Sequence, residues 1–513
     1  MSPTTRRPTP DPRRSGLKAE RRRTYFDVKV ASEGLSIKCV NNPHVIKSGS
    51  EGGNWHRASW LALILLYGLA VLVRLWNVDT DVNSDEAYYY YLTVFPEKYM
   101  ILHRNHPFLL YVFYHPFASS FVSFRLVDVF VGSVIPILVF VLLGSYRLSS
   151  GMRILGGAAA AINPILIKFS WIVYLDTLAT TLLLLGFLSY KRGRWLTTGI
   201  ALGLSVLTKE YALLAALIII LGSWFRFHSP RTTLLSGFGV GVATVVFLYI
   251  LFPLGGIAYL MSGVAFGQSI NPYEVYGLLL MIVVGMVAVL IGLREEGLIV
   301  IVYAVFMLGG GFNMGWYLVF PLPFLILSIL VSFDQLFGKL KLLIPSGASI
   351  FRFRWFTNSM RIMLVLVFLF SVSNPVATYS QSQAWHYHGL RDVTSFLTNQ
   401  YPSRQITLID CFWAYSLYPF GTGYSVKHED FTGDSHSLEY YEGHILETGL
   451  AVFCNTNVNM SLRSSLLYTF RNFIVYSQLG YTVLALPSSE PITISDSCKS
   501  LNACEGFGSN IDA

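Results

Sequence analysis

A succession of long apolar runs constrains this chain more than any other feature. They occupy residues 59–76, 124–145, 152–168, 171–190, 195–209, 211–226, 233–253, 275–293, 297–312, 315–333 and 360–378. A helix needs about 20 predominantly apolar residues to cross a bilayer. The expectation is a polytopic α-helical membrane protein with about eleven transmembrane helices. Only 13% of the residues are charged and 53% are apolar, whereas an ordinary soluble domain carries roughly twice that charged fraction. The formal net charge of +8 does not indicate nucleic acid. Its basic residues lie in short loops between apolar runs and in an N-terminal tail, where they set membrane orientation.

Residues 1–58 are polar, with Arg6, Arg7, Arg13, Arg14, Lys18, Arg21, Arg22 and Arg23 interrupted by Pro and Ser. They read as a disordered basic tail on the cytoplasmic side, and not as a cleaved signal, because the first apolar run begins late and lacks a small-residue cleavage site. With the tail inside, the basic loops at Arg147 and Arg153, 191–194, 226–231, Arg294 and 339–361 all become cytoplasmic if segment 107–122 does not cross. That segment contains His115 and Pro116 and fits an amphipathic or re-entrant piece within an outer loop over 77–123. The membrane domain then spans 59–378.

After Thr378 the composition changes to Gln, His, Tyr, Asp and Asn, leaving 379–513 for one small extracytoplasmic domain. Ile406–Ile409, Gly449–Phe453 and Tyr481–Leu486 read as short buried strands among helical pieces, so the module is expected to be α/β. Five cysteines, Cys39, Cys411, Cys454, Cys498 and Cys504, show no metal-ligand spacing; in an oxidising compartment Cys498 and Cys504 can pair. A single sequon begins at Asn459.

The parity of the crossings places the chemistry. Asp85, Glu86, His103, Arg104, His106 and Arg125 fall on the outer side, together with Asp176, Lys209 and Glu210 near the outer ends of apolar runs. In Asn-Ser-Asp85-Glu86-Ala-Tyr-Tyr-Tyr-Tyr, two carboxylates stand where the chain leaves the membrane, a costly place for charge. The same peptide also reads as the start of a juxtamembrane helix. Asp176 lies inside the start of an apolar helix, where an acid serves either function or an interhelical hydrogen bond. Lys209 at a helix end also suits simple snorkelling.

One chemistry uses this set fully. Displacing a lipid phosphate from the anomeric carbon of a sugar needs a carboxylate to take the proton of an acceptor hydroxyl, and cationic groups to stabilise the departing phosphate. Asp85 supplies the first; Arg104, His106, Arg125 and Lys209 are candidates for the second. The tyrosines from Tyr88 and Tyr89 to Tyr91 offer faces for a sugar ring, or an interfacial aromatic belt. Glu86 with His103 or His106 could ligate a divalent ion, although no spacing demands one and no cofactor is otherwise implied.

Asp85-Glu86-Ala-Tyr-Tyr after the first span, Asn-His106-Pro107, Phe-Arg125-Leu, Asn163-Pro164 followed by Leu175-Asp176, and Leu207-Thr208-Lys209-Glu210-Tyr211 resemble, in this order, motifs of the GT-C glycosyltransferases. They look like those of the protein O-mannosyltransferase and aminoarabinose-transferase group, the glycosyltransferase 39-like family. The resemblance covers about 59–226, with a weaker echo at Trp316-Tyr317 through Pro321 and Pro323. It implies the GT-C fold and an inverting hexosyltransferase that takes a sugar such as mannose from a polyprenyl (dolichyl) phosphate in the cell membrane. The acceptor would be a hydroxyl on protein, glycan or lipid. By position Asp85 would be the general base, Glu86 its neighbour in the acceptor or metal environment, and Asp176 an acceptor-side or supporting carboxylate. Glu210 would lie near the acceptor or sugar, and His106 near the lipid phosphate. The chain departs from the pattern in having His106-Pro107-Phe108 where many relatives carry His-Pro-Pro or Lys-Pro, and Trp316 where they carry Arg or His before the Tyr.

Two other classes compete. An oligosaccharyltransferase also begins with an outer-loop acid but typically carries a Trp-Trp-Asp acceptor motif, which does not occur here. A transporter should show two related halves with broken helices and mid-membrane charge, and no duplicated pattern is visible. A non-catalytic sugar-lipid binding protein would share the outer-face residues and differ in not needing Asp85.

Overall fold

The computed structural model describes residues 24–31, 34–41, 52–76, 78, 86, 89–90, 93–94, 113–227, 229–251, 272–310, 315–343, 390–401, 405–409, 425–429, 437–453, 460–478 and 481–487. Asp85, Tyr88, His103, Arg104, His106, the apolar run 360–378, Asn459 of the sequon, and the cysteines other than Cys39 lie outside this set. The chain divides into two units, Met1–Ser59 and Trp60–Ala513.

The first unit departs from the expectation of a disordered tail. Strands β1 (Thr24–Ala31) and β2 (Gly34–Asn41) pair antiparallel, with Phe26 opposite Cys39, Val28 opposite Ile37 and Val30 opposite Leu35. Apolar residues therefore alternate with Asp27 and Lys29 on one strand and with Ser36 and Lys38 on the other. This two-residue period is the signature of a hairpin, and the surrounding arginines mask it in any charge-based reading.

The helices follow the apolar runs, the first of them beginning before the boundary at Trp60. They are α1 (Gly52–Leu75), α2 (Phe121–Gly132), α3 (Val134–Ser145), α4 (Ser150–Ile162), α5 (Pro164–Trp171), α6 (Leu175–Lys191), α7 (Trp195–Thr208), α8 (Ala212–Phe227), α9 (Pro230–Leu251), α10 (Pro272–Leu290), α11 (Arg294–Gly310) and α12 (Pro321–Leu343). A 3-10 turn, Gly315–Val319, precedes the last. Among the described residues, Phe121–Ser145 and Tyr317–Leu336 are long and apolar enough to cross a membrane by length and composition. The expected single span at 152–168 is instead two helices, Ser150–Ile162 and Pro164–Trp171, bent by 52°. Pro164 starts a new helix because its missing N–H costs nothing at that position. The Asn163 side chain accepts from the backbone N–H groups of Ile165 and Leu166 at 3.0 and 3.1 Å, capping it. Four further apolar helices, Trp60–Leu75, Trp195–Thr208, Ala212–Phe225 and Val275–Leu290, are shorter. The described helices thus fall short of the eleven crossings expected.

A buried arginine secures the bend. Arg74 on α1 is fully buried; its Nη1 donates to the carbonyls of Ala70 at 3.0 Å and Ala161 at 3.3 Å, and its Nη2 to Leu166 O at 3.3 Å. It thereby satisfies a carbonyl that the broken helix α4 leaves at its end. Elsewhere small residues set the packing. A methyl group added to Gly203 would lie 2.5 Å from Gly239 O, so α7 and α9 meet backbone to backbone, as membrane helices do through small residues.

The last turn of α6 carries a dense polar cluster. Tyr190 Oη donates to Glu295 Oε1 at 2.7 Å, while Lys191 Nζ lies 3.3 Å from Glu295 Oε2 and 2.8 Å from Glu296 Oε1. The rings of Phe187, Tyr146 and Tyr190 stand 4.8, 5.4 and 5.6 Å from the same ammonium. The cluster pins α6 to the first turn of α11.

The C-terminal module is α/β, as its pattern suggested. Helix α13 (Leu390–Gln400) precedes β3 (Gln405–Ile409) and β4 (Ser425–Glu429); α14 (Leu438–Thr448) leads to β5 (Leu450–Phe453), and α15 (Met460–Thr469) to β6 (Ile474–Gln478) and β7 (Tyr481–Ala485). The sheet order is β4-β3-β5-β7-β6, with β3 parallel to both neighbours and β7 antiparallel to β5 and β6. Ser437 caps α14, and Gly449 ends it at φ 67°, a left-handed geometry that glycine adopts without Cβ strain.

Candidate active site

The candidate site grows from the first two turns of α2. Ser120 Oγ caps the helix by accepting from Ser123 N at 3.1 Å. The order Phe-Val-Ser-Phe-Arg-Leu-Val-Asp then sets Phe121, Phe124, Arg125 and Asp128 at helical spacing, and all four are buried.

Arg125 and Glu86 are each fully buried. Arg125 Nε and Nη2 donate to Glu86 Oε1 and Oε2, both at 2.7 Å, in the two-pronged geometry that makes arginine–carboxylate pairs strong. Its Nη1 donates to Val78 O at 2.8 Å, and its guanidinium carbon sits 4.6 Å from the Phe121 ring centre. Glu86 Oε1 also accepts from Val173 N at 3.0 Å. This amide is available because the α5–α6 connection is extended at Ile172 and Tyr174. A buried pair this well satisfied holds its geometry, and removing one member leaves an uncompensated charge at a cost of about 3–5 kcal/mol. The arginine expected to meet a donor phosphate is therefore engaged with a carboxylate 39 residues away.

One turn further along, Asp128 Oδ1 accepts from Tyr114 Oη at 2.5 Å. Neither residue was singled out in the sequence. The signal was present: Asp128 is the one acid in the apolar stretch 121–145, three residues after Arg125.

Three residues beyond Val173, Asp176 occupies the first turn of α6 and is fully buried. Lys209 Nζ lies 3.9 Å from Asp176 Oδ2, an ion pair longer than a hydrogen bond. Lys209 follows the last residue of α7 with an extended backbone and is 6% exposed. Tyr89, Glu210 and Tyr317 are within its electrostatic reach. Tyr211 packs edge-on against Tyr317 at 4.7 Å, and Tyr303, also missed in the sequence, donates from its hydroxyl to Tyr211 O at 2.7 Å. Of the tyrosine run, Tyr89 is buried within the electrostatic reach of Lys209, whereas Tyr90 packs against Phe121 and Phe124 at 5.4 and 5.3 Å.

The structure thus brings Glu86, Arg125, Asp176, Lys209, Glu210 and Tyr89 into one neighbourhood and adds Asp128, Tyr114, Tyr211, Tyr303 and Tyr317. Among the described residues no three His, Cys, Asp or Glu side chains gather as a metal site; both Glu86 oxygens are turned to Arg125. His103 and His106, the other metal candidates, lie outside the described residues. Tyr89, Tyr114, Phe124 and Val173 belong to the same apolar cluster as Leu397, Ile406, Val452 and Tyr481 of the C-terminal module, so the module packs beside the site.

No family model and no curated protein matches the chain. Among solved structures it is similar to ArnT from Cupriavidus metallidurans in the apo state, with 13% identity over 85% of this chain and 100% of that one and a TM-score of 0.49. ArnT bound to undecaprenyl phosphate matches with a TM-score of 0.47, at 13% identity over 86% of this chain and 99% of that one. The apo oligosaccharyltransferase of Archaeoglobus fulgidus matches at 14% identity over 80% of this chain and 70% of that one, with a TM-score of 0.47. All three scores lie below 0.5, and the case for chemistry rests on the side chains described above.

Proposed function

We propose that this chain is a membrane glycosyltransferase of the GT-C kind, which moves a hexose such as mannose from a polyprenyl phosphate to an acceptor hydroxyl on protein, glycan or lipid at the outer membrane face. The observation that carries the reading is the clamp on Glu86. Arg125 and the Val173 amide fix this carboxylate, and Asp85 precedes it by one residue. In this reading Asp85 works beside Glu86, near Asp176 and Lys209. A base gains most of its effect from being held where the proton must go.

In this reading the acceptor oxygen bonds to the anomeric carbon while the bond from that carbon to the phosphate oxygen breaks. The hydroxyl proton passes to the Asp85 carboxylate, and the electron pair leaves with the lipid phosphate, inverting the centre. Arg104, His106 and Lys209 stabilise the leaving phosphate. Arg125 and Glu86 act by position, through their mutual pairing, and Asp176 holds Lys209 at the corner. Tyr89, with Tyr88 and Glu210, faces the sugar or acceptor. The C-terminal module, sharing an apolar cluster with Tyr89, selects the acceptor. The N-terminus is cytoplasmic.

The test is transfer from a panel of polyprenyl-phosphate sugars by the full chain in lipid, beside Asp85→Asn. One donor consumed by the wild type and spared by the variant supports the reading and names the sugar. A donor used equally by both removes Asp85 as the base. No turnover with any donor and credible acceptors would favour a binding or transport role.

A further inference from the structure

The outer loop leaves α1 and returns to α2 through two short described stems, one around residues 86–94 and one at 113–120. They are tied to each other. His115 Nδ1 lies 2.8 Å from Thr93 O, and Tyr90 Oη donates to Ala118 O at 3.4 Å. They are also tied to one helix. The departing stem is fixed by Glu86 to Arg125, and the returning stem by Tyr114 to Asp128. Arg125 and Asp128 are three residues apart and so stand about 4.5 Å apart along the same face of α2.

From this juxtaposition we infer that Tyr114 and Asp128 are positioning residues: a latch that fastens the returning stem as Glu86 fastens the departing one. The stretch between the stems contains His103, Arg104 and His106. A loop whose two ends are held to one helix face loses much of its freedom before any ligand arrives, so less ordering is left to oppose binding and reaction. A phenol buried only for packing would need no carboxylate. Tyr114 packs against Phe124 at 5.3 Å and would keep that contact as phenylalanine, which separates ring from hydroxyl. The link from latch to catalysis rests on the transferase reading; the latch itself does not.

The experiment uses the full chain in lipid nanodiscs, with Tyr114→Phe, Asp128→Ala and Asp128→Asn. Hydrogen exchange is followed over 95–113, and transfer from the polyprenyl-phosphate sugar that the wild type uses is followed in parallel. Tyr114→Phe and Asp128→Ala should speed exchange across 95–113 and lower kcat by about tenfold, with a smaller change in acceptor KM. Asp128→Asn keeps an oxygen to accept from the phenol and should recover part of both. The double variant Tyr114→Phe/Asp128→Ala should be little worse than either single change, as coupled partners are. Unchanged exchange in Tyr114→Phe overturns the latch, whatever happens to transfer. Faster exchange in a protein whose wild type uses no polyprenyl-phosphate sugar keeps the latch and overturns the transferase reading.

Discussion

The two ends of α6 carry buried charge in different ways. At the Lys191 end the charged contacts are short: Lys191 meets Glu296 at 2.8 Å, Glu295 takes the Tyr190 hydroxyl at 2.7 Å, and three aromatic rings surround the ammonium. At the Asp176 end the contact with Lys209 is 3.9 Å, and the tight bonds lie beside it, in Glu86–Arg125 and Tyr114–Asp128. The ends stand about 22 Å apart along the helix. The contrast separates a closed polar pin from an arrangement in which tight pairs hold the frame and a looser pair is left at its centre. Removing groups from the pin should cost stability, whereas changes at the other end should fall on rate, or on both when the frame itself is broken.

The largest expected effect is at Asp85. Asp85→Asn should lower single-turnover transfer by about 10²–10⁴-fold, the usual range for a lost general base, while leaving the unfolding midpoint in lipid within about a degree of wild type. A matching loss of stability would return Asp85 to a capping role. Breaking the frame comes next. Arg125→Ala should destabilise by about 3–5 kcal/mol, because Glu86 is left charged and buried. The double change Arg125→Met with Glu86→Leu should recover most of that stability in thermal unfolding but none of the transfer. If the double variant is as unstable as the single, the pair is not the reason for the loss.

The pin supplies a smaller effect of opposite kind. Lys191→Ala should cost about 1–3 kcal/mol of stability, as the removal of a well-bonded buried partner does, with transfer per folded molecule unchanged. A drop in kcat at constant stability would erase the distinction between the ends. The smallest effect lies away from both. Burial, with Glu439 nearby, raises the Glu442 carboxyl above its ordinary value. Its stabilising contribution is therefore present below the ordinary glutamate range and lost as pH rises through the raised folded value. Glu442→Gln should flatten that part of the unfolding midpoint measured across pH 4–7, without touching transfer at either end.

How far the sequence could anticipate this arrangement depended on distance along the chain. Hydropathy found the run 195–209, realised as Trp195–Thr208, and a buried strand at Ile406–Ile409, realised within Gln405–Ile409. Both are local signals. It did not separate Ile162 from Pro164, because a proline that opens a helix and one that breaks it have the same hydropathy; the Asn163 cap decides between them. It identified Asp176 and Lys209 as polar groups at helix ends, which is where they stand. The partnership of Glu86 with Arg125 could not be read, since it joins positions 39 apart through a fold that hydropathy does not specify. Nor could the β1–β2 hairpin be seen while arginine count stood for the whole tail.

The Arg74 contacts carry a consequence for how the protein is made. Its guanidinium bonds carbonyls of Ala161 and Leu166, 87 and 92 residues later in the chain. During synthesis α1 therefore emerges well before the groups that satisfy its buried cation. A lone arginine in hydrocarbon is costly. Until the bent pair α4–α5 arrives, α1 has to wait at the translocon or shift toward the interface, and it takes its final place with that pair. A dependence of the first helix on its later partners is thus written into residue 74.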